Sequence, residues 1–504
     1  MNLRDAASLM SANTSGVGAE LFDKEIKNFS IDSRSIEAGE LFFALSQEDY
    51  ARAGFNGEFE DGHQFIPEAF RRGALGAVAR VDHVSESESL QALGSRLLLV
   101  EDAIAALQTL ARRTYEAWGR PVVAITGSAG KTTTKDLTAH ILAHAGRRIL
   151  KSERNYNNGL GLPLAVLQMV SEGRTPADFD LAVLEMGMSS PTGEIARLVK
   201  ITPPDIGVEL LVAPVHLEYL GTIENIAKAK AELVEGLKPN GTAVLNADDP
   251  FVIRMRELHD GPVMTFGLEN EADVTALEVD TRRFGESRFR LRTPLGEAQA
   301  RLPMAGRHNL MNALAAASVA TCLGVSPAEI ARSLQSVVPP KMRGEVLDFA
   351  AGFTVVDDSY NSNPRSLLSM VRTLSETEAG ARRRVVVAGE MLELGPGSLE
   401  MHRDAGGEIA RLGIDVLWGV RGDATAMIEG AREAGMSQKD ATRFFESSDD
   451  AASALCDEIR EGDLVLVKGS RGVRTDKVVS QLRERFALVG GDERNGSVDN
   501  RRSG

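Results

Sequence analysis

The sequence predicts an α/β chain folded in three domains, and three observations predict it. A short apolar run at Val122 to Ile125 ends in a glycine turn and then becomes helical. Further apolar runs alternate with helical stretches, as they do when a parallel sheet is flanked by helices. Two joints, a helical stretch at 102–118 and the Pro339-Pro340 pair, divide the 504 residues into 1–105, 106–337 and 338–489, with a tail at 490–504 expected to be disordered. A chain of this length exceeds one ordinary domain.

Composition narrows the function classes. Hydrophobic residues make up 43% and charged residues 26%, the balance of a globular protein. The net charge of −15 argues against a general nucleic-acid binder, which needs a basic stripe, but permits a small basic pocket for a nucleotide. Cys322 and Cys456 are too few for a disulfide framework, which points to a reducing compartment. No apolar run approaches the ~20 residues of a membrane span, and the first residues lack the apolar core of a secretion signal. The expected location is cytoplasmic.

Residues 1–105 carry short apolar runs such as Leu41 to Leu45 and Leu97 to Val100, which read as a small α/β domain. Within it, Ser33-Arg34 beside a turn is either a phosphate grip or a solvated turn, since a guanidinium can give two donors to one anion. Residues 47–60 read as a mobile insertion, and His63 lies in the DGHQFI stretch just beyond it.

The central domain opens on the chain's organising stretch, PVVAITGSAGKTTTKD, read as a P-loop at the head of a parallel-sheet, ATPase-like domain. Gly127 and Gly130, on either side of Ser128 and Ala129, let the backbone approach a ligand, and unpaired N–H groups at the helix start point at a negative charge along the helix dipole. Lys131 supplies a mobile charge for phosphates, and the hydroxyls of Thr132 and Thr133 follow, Thr132 placed to hold magnesium. Only two residues separate Gly127 from Gly130, unlike switch GTPases and motor ATPases. Glu185 ends the apolar strand after Asp180, where a magnesium ligand belongs, and His216 follows a second strand from Ile206. A lone histidine there is ordinarily structural unless it partners Glu185. On the helix 222–237, Lys230 lies about 40° from Ile226 on the apolar stripe, whereas Lys228 lies about 160° away. Lys230 therefore points inward, either as a reactive amine of lowered pKa or with its head snorkelling to water.

His140 and His144 have zinc spacing but no glutamate between them, and read as flank residues; Asp248-Asp249 reads as a turn before Pro250. The third domain, Rossmann-like, has its first and last strands ending in DDSYNSNP and KGSR.

Taken together, TGSAGKTT, the strand-end Glu185, APVHLE with His216, KAKAE with Lys230, GRHNxxNALAA, DDSYNSNP and KGSR stand in the order seen in the Mur ligases, and the chain resembles that family over about 28–475. The resemblance is greatest to the member that joins D-alanyl-D-alanine to UDP-N-acetylmuramoyl-tripeptide in peptidoglycan precursor synthesis. It implies an ATP-dependent carboxylate–amine ligase working through an acyl phosphate, with two Mg²⁺ ions. It further implies that Lys131, Glu185, His216 and Lys230 are catalytic, and that Lys230 is carbamylated to hold metal with Thr132, Glu185 and His216. Asn309, Arg343 and Asp358 would reach ATP. Ser33, Arg34 and His63 belong to a domain resembling the uridine-nucleotide domain, and Asn157 and Asn158 would lie near the muramoyl-peptide. Tyr360, Asn361, Asn363, Lys468, Ser470 and Arg471 would serve the dipeptide. The expected partners are these small molecules alone, with a monomeric chain. Arg154 stands where glycine is usual in that family, and Leu211 where asparagine is common.

Three rivals share part of this pattern. A sister ligase adding the third amino acid should carry an arginine-containing motif in its last domain. A folate polyglutamating ligase shares the phosphate turn without the first domain. A nucleotide-driven switch would bind a partner and make no bond.

Overall fold

The computed structural model describes residues 1–489 apart from 56, 154–155, 189–192, 215–219, 282–284, 340, 377–380 and 437–440. The chain is α/β throughout, with three sheets. The first contains β1 (Phe29–Ser30), β2 (Leu41–Phe43), β3 (Gly76–Arg80) and β4 (Leu97–Val100), paired in that order and parallel. The second contains β5 (Val122–Thr126), β6 (Ile149–Lys151), β7 (Leu181–Glu185), β8 (Ile206–Glu209), β9 (Thr242–Asn246), β10 (Val263–Gly267) and β11 (Val274–Asp280), and is continued by β12 (Ser287–Thr293) and β13 (Gly296–Leu302). The third contains β14 (Glu345–Asp348), β15 (Thr354–Asp358), β16 (Arg383–Gly389), β17 (Val416–Val420), β18 (Thr442–Phe445) and β19 (Asp463–Lys468).

In the second sheet β5 lies between β7 and β8, all parallel, with Ile125 opposite Glu185 and Thr126 opposite Glu209. Every residue of β5, β7 and β8 is buried, because helices cover both faces of a parallel sheet and favour unbroken apolar runs. The register brings the carboxyl ends of three neighbouring strands to one edge, where ligands of open α/β sheets bind. In the third sheet β19 is inserted between β15 and β16, so DDSYNSNP and KGSR emerge side by side, with Asp358 opposite Lys468.

The chain forms two compact units. One comprises Met1–Ala276, Leu291–Ala298 and Met311–Ser333; the other comprises Leu277–Arg290, Gln299–Leu310 and the chain from Leu334. The first sheet and strands β5 to β10 of the second lie in the former, and one apolar core runs there from Leu3 and Phe43 through Leu107 to Leu184 and Leu233. The linking helix Ala103–Trp118 supplies much of that core and ends at Gly119 in the left-handed conformation.

The segment expected to be a mobile insertion is instead anchored. Residues Gln47–Arg52 form a helix capped by Ser46. The buried Asp49 carboxylate accepts from Arg80 Nη1 at 2.6 Å and from Ala103 N at 2.9 Å. Two polar contacts of that strength outweigh the glycines and charges that suggested a floppy loop.

Candidate active site

The phosphate turn is built by close approach. Gly127 and Gly130 have φ of 145° and 86°, a region that L side chains avoid. A Cβ on Gly127 would meet Leu210 at 2.8 Å, and one on Gly130 would collide with Asn312 Oδ1. The helix Lys131–His144 begins at once, with no side-chain cap, so its first amides face the turn. Ser128 ties the turn to the segment after β8, its hydroxyl donating to Ala213 O at 3.1 Å and accepting from Ala213 N at 2.9 Å. Ala129 lies between the two glycines. Lys131 folds back over the turn and donates to Gly127 O at 2.8 Å.

One carboxylate gathers the neighbouring groups. Thr132 Oγ1 donates to Glu185 Oε2 at 2.9 Å, and Asn157 Nδ2 donates to Glu185 Oε1 at 2.8 Å. Glu185 is 4% exposed, so its charge sits in a low-dielectric setting with two donors already aimed at it. Thr133 is buried one residue on. Asn158 turns the chain into the next helix, its Oδ1 accepting from Leu160 N and Gly161 N.

Lys230 lies on the helix Ile223–Glu235 and is 2% exposed, while Lys228 faces solvent. Burial pushes its ammonium pKa well down, the charge of Lys131 adds to that, and Glu209 opposes it. Burial pushes the Glu209 carboxyl well up, against the pull of Lys230. Glu209 was missed in the sequence, and among the described residues neither of its oxygens has a hydrogen-bond partner. The signal that picked out Glu185, a carboxylate ending an apolar strand, also marks Glu209 at the end of β8. Asn312, three residues after Asn309, was missed too. His216 lies outside the described residues, as does Arg154.

In the first domain Arg34 makes a bidentate pair with Asp32, at 2.9 Å to each oxygen, and its side chain is 87% exposed; an incoming anion would compete with Asp32. Ser33 is buried. His63 is satisfied on both sides, accepting from Arg80 N at Nε2 at 2.9 Å and facing Asp61 at 2.7 Å through Nδ1. Asp61, His63 and His83 bring ligand-type atoms within 4.8 Å. The Arg80 amide fixes the proton of neutral His63 on Nδ1, so an ion there would have to displace it. His140 Nε2 bonds Ser333 O at 2.9 Å, and Asp248 accepts from the amides of Leu268, Glu269 and Asn270, closing a turn.

The second unit has its own polar edge. Lys468 Nζ donates to Asp358 Oδ2 at 2.6 Å and to Asn361 O at 2.9 Å, both ion-pair partners being buried. Ser470 stitches three strand ends, since its hydroxyl accepts from Leu392 N and donates to Ser362 O while its amide donates to Glu390 O. Asn363 caps the helix Pro364–Glu376 through Ser366 N. Tyr360 is exposed, with the Arg343 guanidinium 4.0 Å from its ring centre and Arg471 at 5.8 Å, which leaves an aromatic face between two cations. Asn309 is buried, its amide donating to Ala305 O at 2.7 Å.

Residues 125–320 match the family model described as the Mur ligase middle domain, and residues 342–471 match the Mur ligase, glutamate ligase domain. A Bacillus subtilis protein named UDP-N-acetylmuramoyl-tripeptide--D-alanyl-D-alanine ligase is 31% identical over 461 residues, covering 91% of this chain and 93% of that one. A crystal structure of MurF from Acinetobacter baumannii superposes with a TM-score of 0.80 at 30% identity, covering 95% of this chain and 98% of the other. MurF ligase from Thermotoga maritima, solved in complex with ADP, gives 0.75 at 27% identity over 91% and 98%.

Proposed function

The chain belongs to the Mur ligase family, and from that premise we propose that it joins D-alanyl-D-alanine to UDP-N-acetylmuramoyl-tripeptide with ATP, forming ADP and phosphate. The observation that carries this reading is the convergence on Glu185 of Thr132, from the phosphate turn, and Asn157, from the segment expected to lie near the muramoyl-peptide. A nucleotide switch would also place a P-loop hydroxyl and a strand-end carboxylate together to hold magnesium, so what sets this site apart is Asn157, which brings the muramoyl-peptide segment onto the same carboxylate. A relative of this named activity is 31% identical to the chain over nine-tenths of its length, which favours it over the other two rivals.

A carboxylate and an amine do not condense at neutral pH. The terminal carboxylate of the tripeptide attacks the γ-phosphorus of ATP, the bond to ADP breaks, and an acyl phosphate forms. The amine of the dipeptide, in its neutral form, then attacks the acyl carbon. The C–O bond to phosphate breaks and the amine proton is lost. Positioning and charge neutralisation dominate the first step. Lys131 and the amides at the head of its helix, which no side chain caps, would offset repulsion between two anions.

Thr132 and Glu185 offer the hard oxygen donors that magnesium prefers, and would hold it with His216 and Lys230 as the proposed further ligands. Bound there, magnesium would neutralise charge on the phosphate and the attacking carboxylate. Carbamylation of Lys230 is part of this proposal. Its support is the inward amine with a lowered pKa, and a test is loss of ligation in Lys230→Ala that bicarbonate leaves unrescued while a short-chain acid restores it. Full activity in that variant would sink the carbamate.

The remaining assignments follow the sheets. Residues 1–105 would bind the uridine nucleotide through Ser33, Arg34 and His63, 106–337 ATP, with Asn309 among its contacts, and 338–489 both ATP, through Arg343 and Asp358, and the dipeptide, through Tyr360, Asn361, Asn363, Lys468, Ser470 and Arg471. Among the described residues no helix is long and apolar enough to cross a membrane. A monomer in the cytoplasm, where nucleotide substrates are held, completes the proposal. The chemistry is tested by labelling the tripeptide's terminal carboxylate with ¹⁸O: one label should appear in released phosphate. Phosphate carrying no label would overturn the acyl phosphate.

A further inference from the structure

The Glu185 site is reached by a chain of contacts that begins in the first domain. Gly159 has no left-handed backbone to accommodate, yet a Cβ there would lie 2.9 Å from Cζ of Phe55. Its lack of a side chain therefore serves the close approach of that ring. Behind Phe55, Tyr50 stacks at 4.8 Å between ring centres, and Phe59 meets Tyr50 edge-on at 4.9 Å. Gln47 pins the far end, donating to Gly57 O at 2.9 Å and accepting from Phe59 N. From the other side Gln108 Nε2 donates to Gly159 O at 2.9 Å.

The strapped residue is followed by a helix that Asn158 caps, and preceded by Asn157, which holds Glu185 with its side chain and Gly187 N with its carbonyl at 2.7 Å. The ring edge on Gly159 thus sits two residues from the group that orients the catalytic carboxylate. We propose that Phe55, backed by Tyr50 and Phe59, is a positioning residue that fixes the Asn157-Asn158 turn for the muramoyl-peptide substrate. The first domain thereby sets the geometry at Glu185 as well as holding nucleotide. Packing alone transmits this, since a rigid aromatic edge leaves the turn one place to sit. This positioning role rests on the ligase reading for its substrate and on the contacts of Phe55, Gly159 and Asn157 for its geometry.

Two measurements separate those supports. In steady-state kinetics Phe55→Ala should raise KM for UDP-N-acetylmuramoyl-tripeptide about tenfold, leave KM for ATP and for the dipeptide within about twofold, and be largely restored in Phe55→Leu. Gly159→Ala, which pushes a methyl into the ring, should behave as Phe55→Ala does. In hydrogen exchange without substrates, the Gly187 amide should exchange about tenfold faster in both impaired variants than in wild type. Unchanged exchange at Gly187, or equal rises in all three KM values, overturns the positioning role. A wild-type chain that ligates nothing would sink the functional reading while leaving the exchange result to decide this one. Should Phe55→Ala fail to fold, Gly159→Ala and Phe55→Leu carry the same comparison.

Discussion

Thr132 and Glu185 are bonded directly, hydroxyl to carboxylate at 2.9 Å, although 53 residues separate them in sequence. The contact exists because β5 and β7 are adjacent and in register, so that the phosphate turn and the next strand end open at one level. Thr132→Val and Glu185→Gln each remove a hard oxygen donor while keeping shape. Each should lower kcat/KM by about 10²-fold or more, with the melting temperature little changed. Coupled measurement of ADP release checks this, and near-wild-type turnover in either variant would contradict it.

Gly130 tests the turn itself. Its φ of 86° is one that L side chains rarely adopt, and a methyl there would push the Asn312 side chain aside. Gly130→Ala should cost about 1–3 kcal/mol of stability through backbone strain and weaken ATP binding beyond that loss. Denaturant titration with and without ATP separates the two effects.

The buried Lys468–Asp358 pair tests the second unit. Removing one partner strands a buried charge, so Lys468→Met should cost about 3–5 kcal/mol. Replacing both, Lys468→Met with Asp358→Leu, should recover much of that stability without recovering ligation. Chemical denaturation of the single and double variants reads the difference.

Much of this was legible in the sequence, and for physical reasons. A parallel sheet buried on both faces writes itself as apolar runs such as VVAI and LAVL, and the turn after the first demands glycine. The arithmetic of a 3.6-residue helix put Lys230 inward, where the structure has it 2% exposed. What escaped were contacts that depend on strand order. Glu209 carries the same mark as Glu185, but only the pairing of β8 with β5 puts it beside the phosphate turn. Phe55 and Gly159 lie 104 positions apart and no local pattern joins them. The 47–60 stretch misled because its polarity is visible in sequence while the burial of Asp49 against Arg80 is not.

His402 gives a pH dependence. Its Nδ1 donates to Ser398 O at 2.8 Å and its Nε2 accepts from Met391 N at 2.9 Å, so the fold holds it neutral, and burial pushes its pKa below the ordinary 6.5. The unfolded chain binds the proton more readily, so this residue's contribution is complete above pH 6.5 and declines as pH falls below it. Melting curves between pH 5 and 8 should show that slope lessened in His402→Gln. An identical slope in both proteins would contradict the assignment.

The central claim is a bond formed between two named substrates. Incubating the chain with ATP, UDP-N-acetylmuramoyl-tripeptide and D-alanyl-D-alanine, and weighing the nucleotide product by mass spectrometry, tests it most directly. Ligation should yield a nucleotide heavier by the dipeptide less one water, with one ADP and one phosphate released for each. An unchanged nucleotide mass, or ADP released at the same rate without dipeptide, would contradict it.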